Sequence, residues 1–299
     1  MNSIFRFLSL ATVLLMGAPF LTAQPASATF RPVLLESYAL SSAYTTRGDL
    51  SDANVRGSVE VRHFDFSITG RTSLGEATVL LHGLAYARNS FDVSGAALLP
   101  EAGEEITLSL GLQQVLSARW FIAAYLRPGF YGDELSFDHR TFNAPLLATA
   151  FYTVNPDLSW IFGFSANAAA DNPFIPVAGV RWKFAPDWTL NIGFPRAGLS
   201  YRAGENLSLH AGATVQGGGY RLTRALGSPG AGQPTLGRTW LEYREIRLGV
   251  GAEYNFTPKI ALTADAGWTV DQRFDYFDRG YKLKGENVPY FALGLKGRF

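Results

Sequence analysis

Four histidines, His63, His82, His139 and His210, are the side chains of this 299-residue chain suited to moving protons or holding a metal near neutral pH. His63 and Asp65 stand two apart, so on a strand they share a face, opposite Phe64, Phe66 and Ile68. If strands 55–71 and 75–88 pair around "TSLGE", Asp65 comes opposite His82 and the three form a polar cluster pointing inward. That cluster is a metal site or a proton-transfer pair in its sharpest form. A third protein ligand is not identifiable, so the simpler expectation is a cross-strand hydrogen bond without metal or cofactor. Ser208 and His210 also share a face, in "NLSLHAGA". A nucleophilic serine needs a base and an acid behind it. The neighbouring strand 197–203 offers Leu199, Ser200 and Tyr201 and no carboxylate. No catalysis is expected, and the chain is not read as an enzyme.

Composition narrows the classes further. The chain is 47% hydrophobic and 17% charged, against about 25% charged in an average chain. A net charge of +1 argues against nucleic acid as a partner. Cysteine is absent, which removes disulfides, thiolate metal sites and cysteine nucleophiles together. No phosphate loop, dinucleotide fingerprint or zinc-protease helix occurs. Residues 1–28 read as a cleavable signal peptide: Arg6, an apolar stretch from Phe7 to Leu15, then Ala26-Ser27-Ala28. The remainder, 29–299, is exported and has no stretch long enough for a transmembrane helix.

What must position these residues is a set of strands. "EEITLSLGLQQVL" puts Ile106, Leu108, Leu110 and Leu112 on one face and Thr107, Ser109, Gly111 and Gln113 on the other. Trp160, Phe162 and Phe164 alternate with Ser159, Ile161, Gly163 and Ser165; Ala178, Val180, Trp182 and Phe184 alternate with Gly179, Arg181 and Lys183. A period of two means strands. Short turns at 72–76, 116–119, 155–158, 185–188, 203–206 and 255–259 alternate with longer polar loops at 45–54, 89–104, 131–143, 169–174, 218–238 and 272–287. That is the pattern of an up-and-down meander crossing a membrane, with short turns on the periplasmic side. Between "APDW" and "AGEN" a short hairpin is expected to turn near Pro195-Arg196, because proline cannot serve a central ladder. Counting it gives about 14 strands; without it there are 12.

The fold expected is an all-β transmembrane antiparallel barrel, closed because unpaired backbone is not tolerated in hydrocarbon. Trp120, Trp160, Trp182, Trp188, Trp240, Tyr254 and Trp268 would form the interfacial girdles. Opposite the apolar faces stand Arg127, Arg181, Lys183, Arg247, Lys296 and Arg298, with Glu253 and Asp265 as acidic counterparts. An open lumen of this kind favours anions; in a plugged one, Arg247 and Asp265 would hold each other. The last strand carries Phe291, Leu293, Leu295 and Phe299 on one face. In this the C-terminus resembles Gram-negative outer-membrane proteins, whose final phenylalanine is recognised by the barrel-assembly machinery.

Three stretches, 176–202, 241–256 and 264–278, together with the terminal strand, resemble a family of uncharacterised bacterial outer-membrane barrels described only as a domain of unknown function. The resemblance implies the barrel and the outer membrane, and brings no catalytic residues. The function expected is a passive or selective pore for small solutes with a basic-leaning lumen. The alternatives are a closed structural or surface-binding barrel and a lipid-modifying enzyme. Partners expected are outer-membrane lipid and lipopolysaccharide, the latter at the aromatic, charged segment 272–287.

Overall fold

The computed structural model describes residues 32–52, 55–193, 196–227 and 235–299, so the expected signal peptide and Pro195 lie outside the described residues. The alternating stretches form strands β1 (Pro32–Asp52), β2 (Val55–Ser73), β3 (Thr78–Gly95), β4 (Ala102–Val115), β5 (Trp120–Leu126) and β6 (Gly129–Gly132). They continue as β7 (Phe142–Asn143), β8 (Leu146–Asn155), β9 (Leu158–Ala166), β10 (Phe174–Ala185), β11 (Trp188–Ile192) and β12 (Arg196–Arg202). The last are β13 (Leu207–Arg221), β14 (Trp240–Thr257), β15 (Ile260–Tyr276), β16 (Tyr281–Gly285) and β17 (Pro289–Arg298). Pro128 separates β5 from β6 and Pro145 separates β7 from β8, each replacing a ladder donor. With these pairs and β16–β17 each taken as one interrupted strand, the wall is a closed antiparallel barrel of 14 strands.

Each strand pairs with its sequence neighbours, and β1 closes the ring on β17 from Ser37↔Arg298 to Thr45↔Tyr290. The seam is tight at Gly297, where the Tyr38 ring occupies the space a side chain would need. Beyond the strand, the Phe299 N–H donates to the Glu36 carbonyl at 3.0 Å and its ring lies 5.6 Å from that of Tyr38. The chain therefore ends held on both sides.

The outward face is an apolar belt that includes Leu108, Leu110, Leu112, Trp160, Phe162, Leu248, Val250, Phe291 and Leu293, all exposed. Aromatic pairs gather at the short-turn rim: Trp120–Tyr152, Trp188–Tyr201 and Tyr254–Phe256, with ring centroids 4.9, 4.6 and 5.1 Å apart. Trp240 is not part of a girdle. It stands opposite Arg221 beyond the belt, with that guanidinium 5.8 Å from its ring.

The barrel is not equally tall all round. Segments 45–52, 89–95 and 272–276, expected as loops, are strand, and they carry β1, β2, β3, β14 and β15 past the belt. There the outward positions turn charged, with Arg244–Asp271 and Arg273–Asp271 ion pairs at 2.9 and 2.8 Å, and the inward ones apolar. The low side is β7 to β12, where β11 is five residues long. Beyond it β13 leans inward at Gly217, whose φ of 144° suits glycine. It ends in a parallel bridge, Arg221↔Gly132, to β6. β1, β2, β3, β4, β6, β13, β14, β15 and β16 thereby form a narrower ring at the long-loop rim. A ring near eight strands is just wide enough for side chains to fill. Leu50, Val59, Val61, Phe91, Tyr220, Leu241, Tyr243, Phe274, Tyr276 and Leu283 do so, none more than 4% exposed.

Candidate functional site: the barrel lumen

In the register Arg181, Arg247, Glu253, Asp265, Lys296 and Arg298 alternate with the outward apolar residues, while Arg127 sits in the break between β5 and β6 and Lys183 at the irregularity before Ala185. Directly beneath the aromatic core lies a buried polar layer. Arg247, 3% exposed, has its Nε 2.8 Å from Glu245 Oε1, and its guanidinium sits 4.9 Å from the Tyr290 ring. Thr45 Oγ1 donates to the same carboxylate at 2.9 Å, and the Tyr243 hydroxyl donates to its other oxygen. Alongside, Arg127, in the break between β5 and β6, donates from Nη2 to Glu105 at 2.9 Å and to Thr107 at 3.0 Å.

Below this layer the inner side chains of β12 to β15, among them Ser200, His210, Glu253 and Asp265, are partly exposed, while Gln113, Ala123, Leu147 and Thr149 on β4, β5 and β8 stay buried. Lys296 pairs with Glu253 at 2.8 Å, and Arg298 stands exposed at the end of β17. Asp265 does not meet Arg247, because the register sets Thr269 opposite Arg247 and Gly251 opposite Asp265. Gly251 also pairs with His210 on its other side. With no side chain between them, His210 Nε2 and Asp265 Oδ1 approach to 2.5 Å across the glycine strand. The histidine thus has the carboxylate that its immediate neighbours could not provide. Ser200 lies across from it on β12, while Ser208 faces Arg202 and Glu253.

The first histidine cluster is two residues, not three. His63 Nε2 is 3.3 Å from Asp65, and its Nδ1 is 2.9 Å from Asn89; Ser41 donates to Asp65. His82 pairs with Gly70 and not Asp65. That shift of register also puts it on the outward face with Leu80, Leu84 and Tyr86, where its Nε2 is 3.4 Å from Thr72 Oγ1. Among the described residues no group of three or more His, Asp or Glu is placed to hold a metal ion.

Two features escaped the sequence. Glu105 and Glu245 are the buried partners of Arg127 and Arg247. Glu245 and Arg247, two apart in "YREIR", carried that signal in their spacing. The lumen is also two-sided. From β12 through β17 to β2 its inner face is polar and charged, whereas β5 to β10 present Phe121, Tyr125, Leu147, Phe151, Ile161 and Val177. Arg181 and Lys183 follow on the inner face of β10 toward the short-turn rim, beside Arg202 on β12.

The family model of a domain of unknown function, DUF6268, matches residues 57–294. No curated protein matches the chain. Among solved structures, an outer membrane channel of the COG4313 group from Pseudomonas putida F1 is similar with a TM-score of 0.51 at 14% identity, over 92% of this chain and 99% of that one. The toluene transporter TodX of Pseudomonas putida aligns over 89% of this chain and 90% of its own, at 9% identity and a TM-score of 0.43. The translocator domain of the autotransporter NalP from Neisseria meningitidis gives 0.41 at 14% identity, over 88% of each chain. At these identities the likeness is one of fold.

Proposed function

This chain belongs to the DUF6268 family, a domain of unknown function, and from that premise we propose that it is an outer-membrane channel for small solutes whose inner cations favour anions. The observation that carries the reading is the lumen itself. Below the Glu245–Arg247 layer the inner face of β12 to β15 is polar and partly exposed, and 14 strands stand between the barrels of about 8 that side chains fill and those of about 16–18 that leave an aqueous channel. Arg181, Lys183 and Arg202 lie together on β10 and β12, while the inner acids Glu253 and Asp265 stand on β14 and β15 and are engaged by Lys296 and His210. An anion entering from the short-turn rim meets that basic patch first. The name of the COG4313 protein, an outer membrane channel, is consistent with this use of the fold. In this reading the belt faces lipid, the long-loop rim meets lipopolysaccharide, and the C-terminal strand is what the barrel-assembly machinery engages. No reaction is assigned to the chain.

The test is current through the purified protein in planar bilayers under a salt gradient. The reversal potential is expected on the anion-selective side, and Arg181→Ala/Lys183→Ala is expected to move it toward the cation side. Silence across a wide voltage range removes the channel reading. One observation favours a second reading, a closed structural or surface-binding barrel: the aromatic core that fills the narrow ring at the long-loop rim.

A further inference from the structure

We propose that the low side of the barrel is a lateral port, between β10 and β13 above the β11–β12 hairpin, through which small apolar molecules dissolved in the outer leaflet reach the lumen. The proposal rests on the channel reading and adds a route and a ligand class to it.

The port is defined by where pairing stops. β10 is paired to β11 no further than Val180↔Ile192, and β12 to β13 no further than Arg196↔Thr214. Beyond those points, toward the long-loop rim, β10 still pairs with β9 as far as Phe174↔Ala166 and β13 with β14 as far as Arg221↔Trp240. Among the described residues no strand lies between the facing edges 174–179 and 215–220. Where β11 and β12 do intervene, β10 and β13 are three strand spacings apart, about 14 Å.

That gap opens within the belt and not above it. Phe174 on one edge and Ile192 on the hairpin below are 60% and 54% exposed, and Phe164 stacks on Phe174 at 5.1 Å. An unpaired sheet edge at that depth is tolerated only where it is covered by protein or lines a cavity. The sequence accommodates the edge: Pro176 has no N–H to leave unpaired. On the opposite edge Gly217, Gly218 and Gly219 let β13 turn away from the wall.

What closes the gap is small and apolar. Ile175 and Val177 on the inner face of β10, Val215 on β13, and Ala169 and Ala170 of the β9–β10 loop are each 8% exposed or less. The Asp171 N–H of the loop donates to Glu242 at 3.2 Å, and the Ala169 carbonyl lies where a side chain on Gly219 would reach. From Val177 the inner face continues through Ile161, Phe151, Leu147, Tyr125 and Phe121. An alkyl or aromatic body leaving the bilayer thus meets a run of apolar side chains along the low wall, with the charged groups near the gap, Asp171, Glu242 and Arg196, at its upper and lower borders. The axial exit on the tall side is filled by the aromatic core.

The absence of native cysteine makes the test direct. Single variants Val177→Cys at the gap, Ala178→Cys on the outward face and Ala85→Cys on the inner face of the tall wall are labelled with bimane before refolding. Each is then placed in vesicles of phospholipid brominated on the acyl chains. The expected result is quenching of Val177→Cys close to that of Ala178→Cys, with Ala85→Cys unquenched. Quenching of Val177→Cys no greater than that of Ala85→Cys overturns the port. Should the label at residue 177 prevent folding, Ile161→Cys, further along the same wall, is read against the same controls. A protein that conducts but is not quenched keeps the channel and loses the port. One that is quenched but silent keeps the port and loses the aqueous pore.

Discussion

Glu245→Ala is expected to destabilise the barrel by about 3–5 kcal/mol, the range found when one member of a buried ion pair is removed. Glu245 is fully buried and accepts hydrogen bonds from Thr45, Tyr243 and Arg247. Its removal leaves the Arg247 guanidinium, 3% exposed, with the Tyr290 ring and a 3.4 Å contact to Thr45 as its remaining partners. Neither neutralises a charge that burial has stripped of water. The loss is read from urea unfolding of the detergent-folded protein. The double variant Glu245→Leu/Arg247→Met should recover most of it, because no unpaired charge remains. A single variant as stable as the parent would mean that water reaches Arg247, and that the layer beneath the aromatic core is not dry.

Alternation located the strands wherever the outward face is apolar, as at 106–112, 158–164 and 178–184, and the short turns followed from it. It failed at 45–54, 89–104 and 272–287, where the strands leave the belt and the pattern changes phase. In "DQRFDY" the aromatic residues Phe274 and Tyr276 point inward and Asp271, Arg273 and Asp275 outward, the reverse of "ALTADAGW" one turn of chain earlier. The extra residue at the irregularity between Ile246 and Arg247 on the partner strand, Val270, produces the reversal. A segment whose pattern looks polar and loop-like is therefore strand as far as Tyr276.

Pairing across strands was harder still. His82 lies opposite Gly70 and not Asp65 because the hairpin turn at 74–77 fixes the register, and a register error also exchanges the faces. The His210–Asp265 contact spans a strand with glycine at the crossing point. No spacing along one chain segment encodes it; only the joint register of β13, β14 and β15 does. The charged residues on the inner face were legible one strand at a time, and their partners were not.

Phe274→Ala is expected to act on both stability and current. Phe274 is fully buried, its ring 5.0 Å from Tyr243 and 5.5 Å from Phe91, and truncating such an aromatic costs about 3–5 kcal/mol through lost burial and the cavity left behind. The loss falls in the narrow ring beyond the belt, which is joined across its open side by the Arg221↔Gly132 bridge, the Asp133 N–H donating to Arg221 O at 3.1 Å, and contacts of Thr223 and Arg224 with Asp133 and Glu134. The 14-strand part is closed independently at the β1–β17 seam. The variant should therefore still fold in detergent, with a lower urea midpoint. If the aromatic core is what seals the tall side, its single-channel conductance should exceed that of the parent, and Tyr243→Ala added to it should raise the current further. A lower midpoint with unchanged current would place the seal one layer deeper, at Glu245 and Arg247. In that case the Glu245→Leu/Arg247→Met variant, which keeps the layer filled but uncharged, should conduct no more than the parent, while Glu245→Ala should leak.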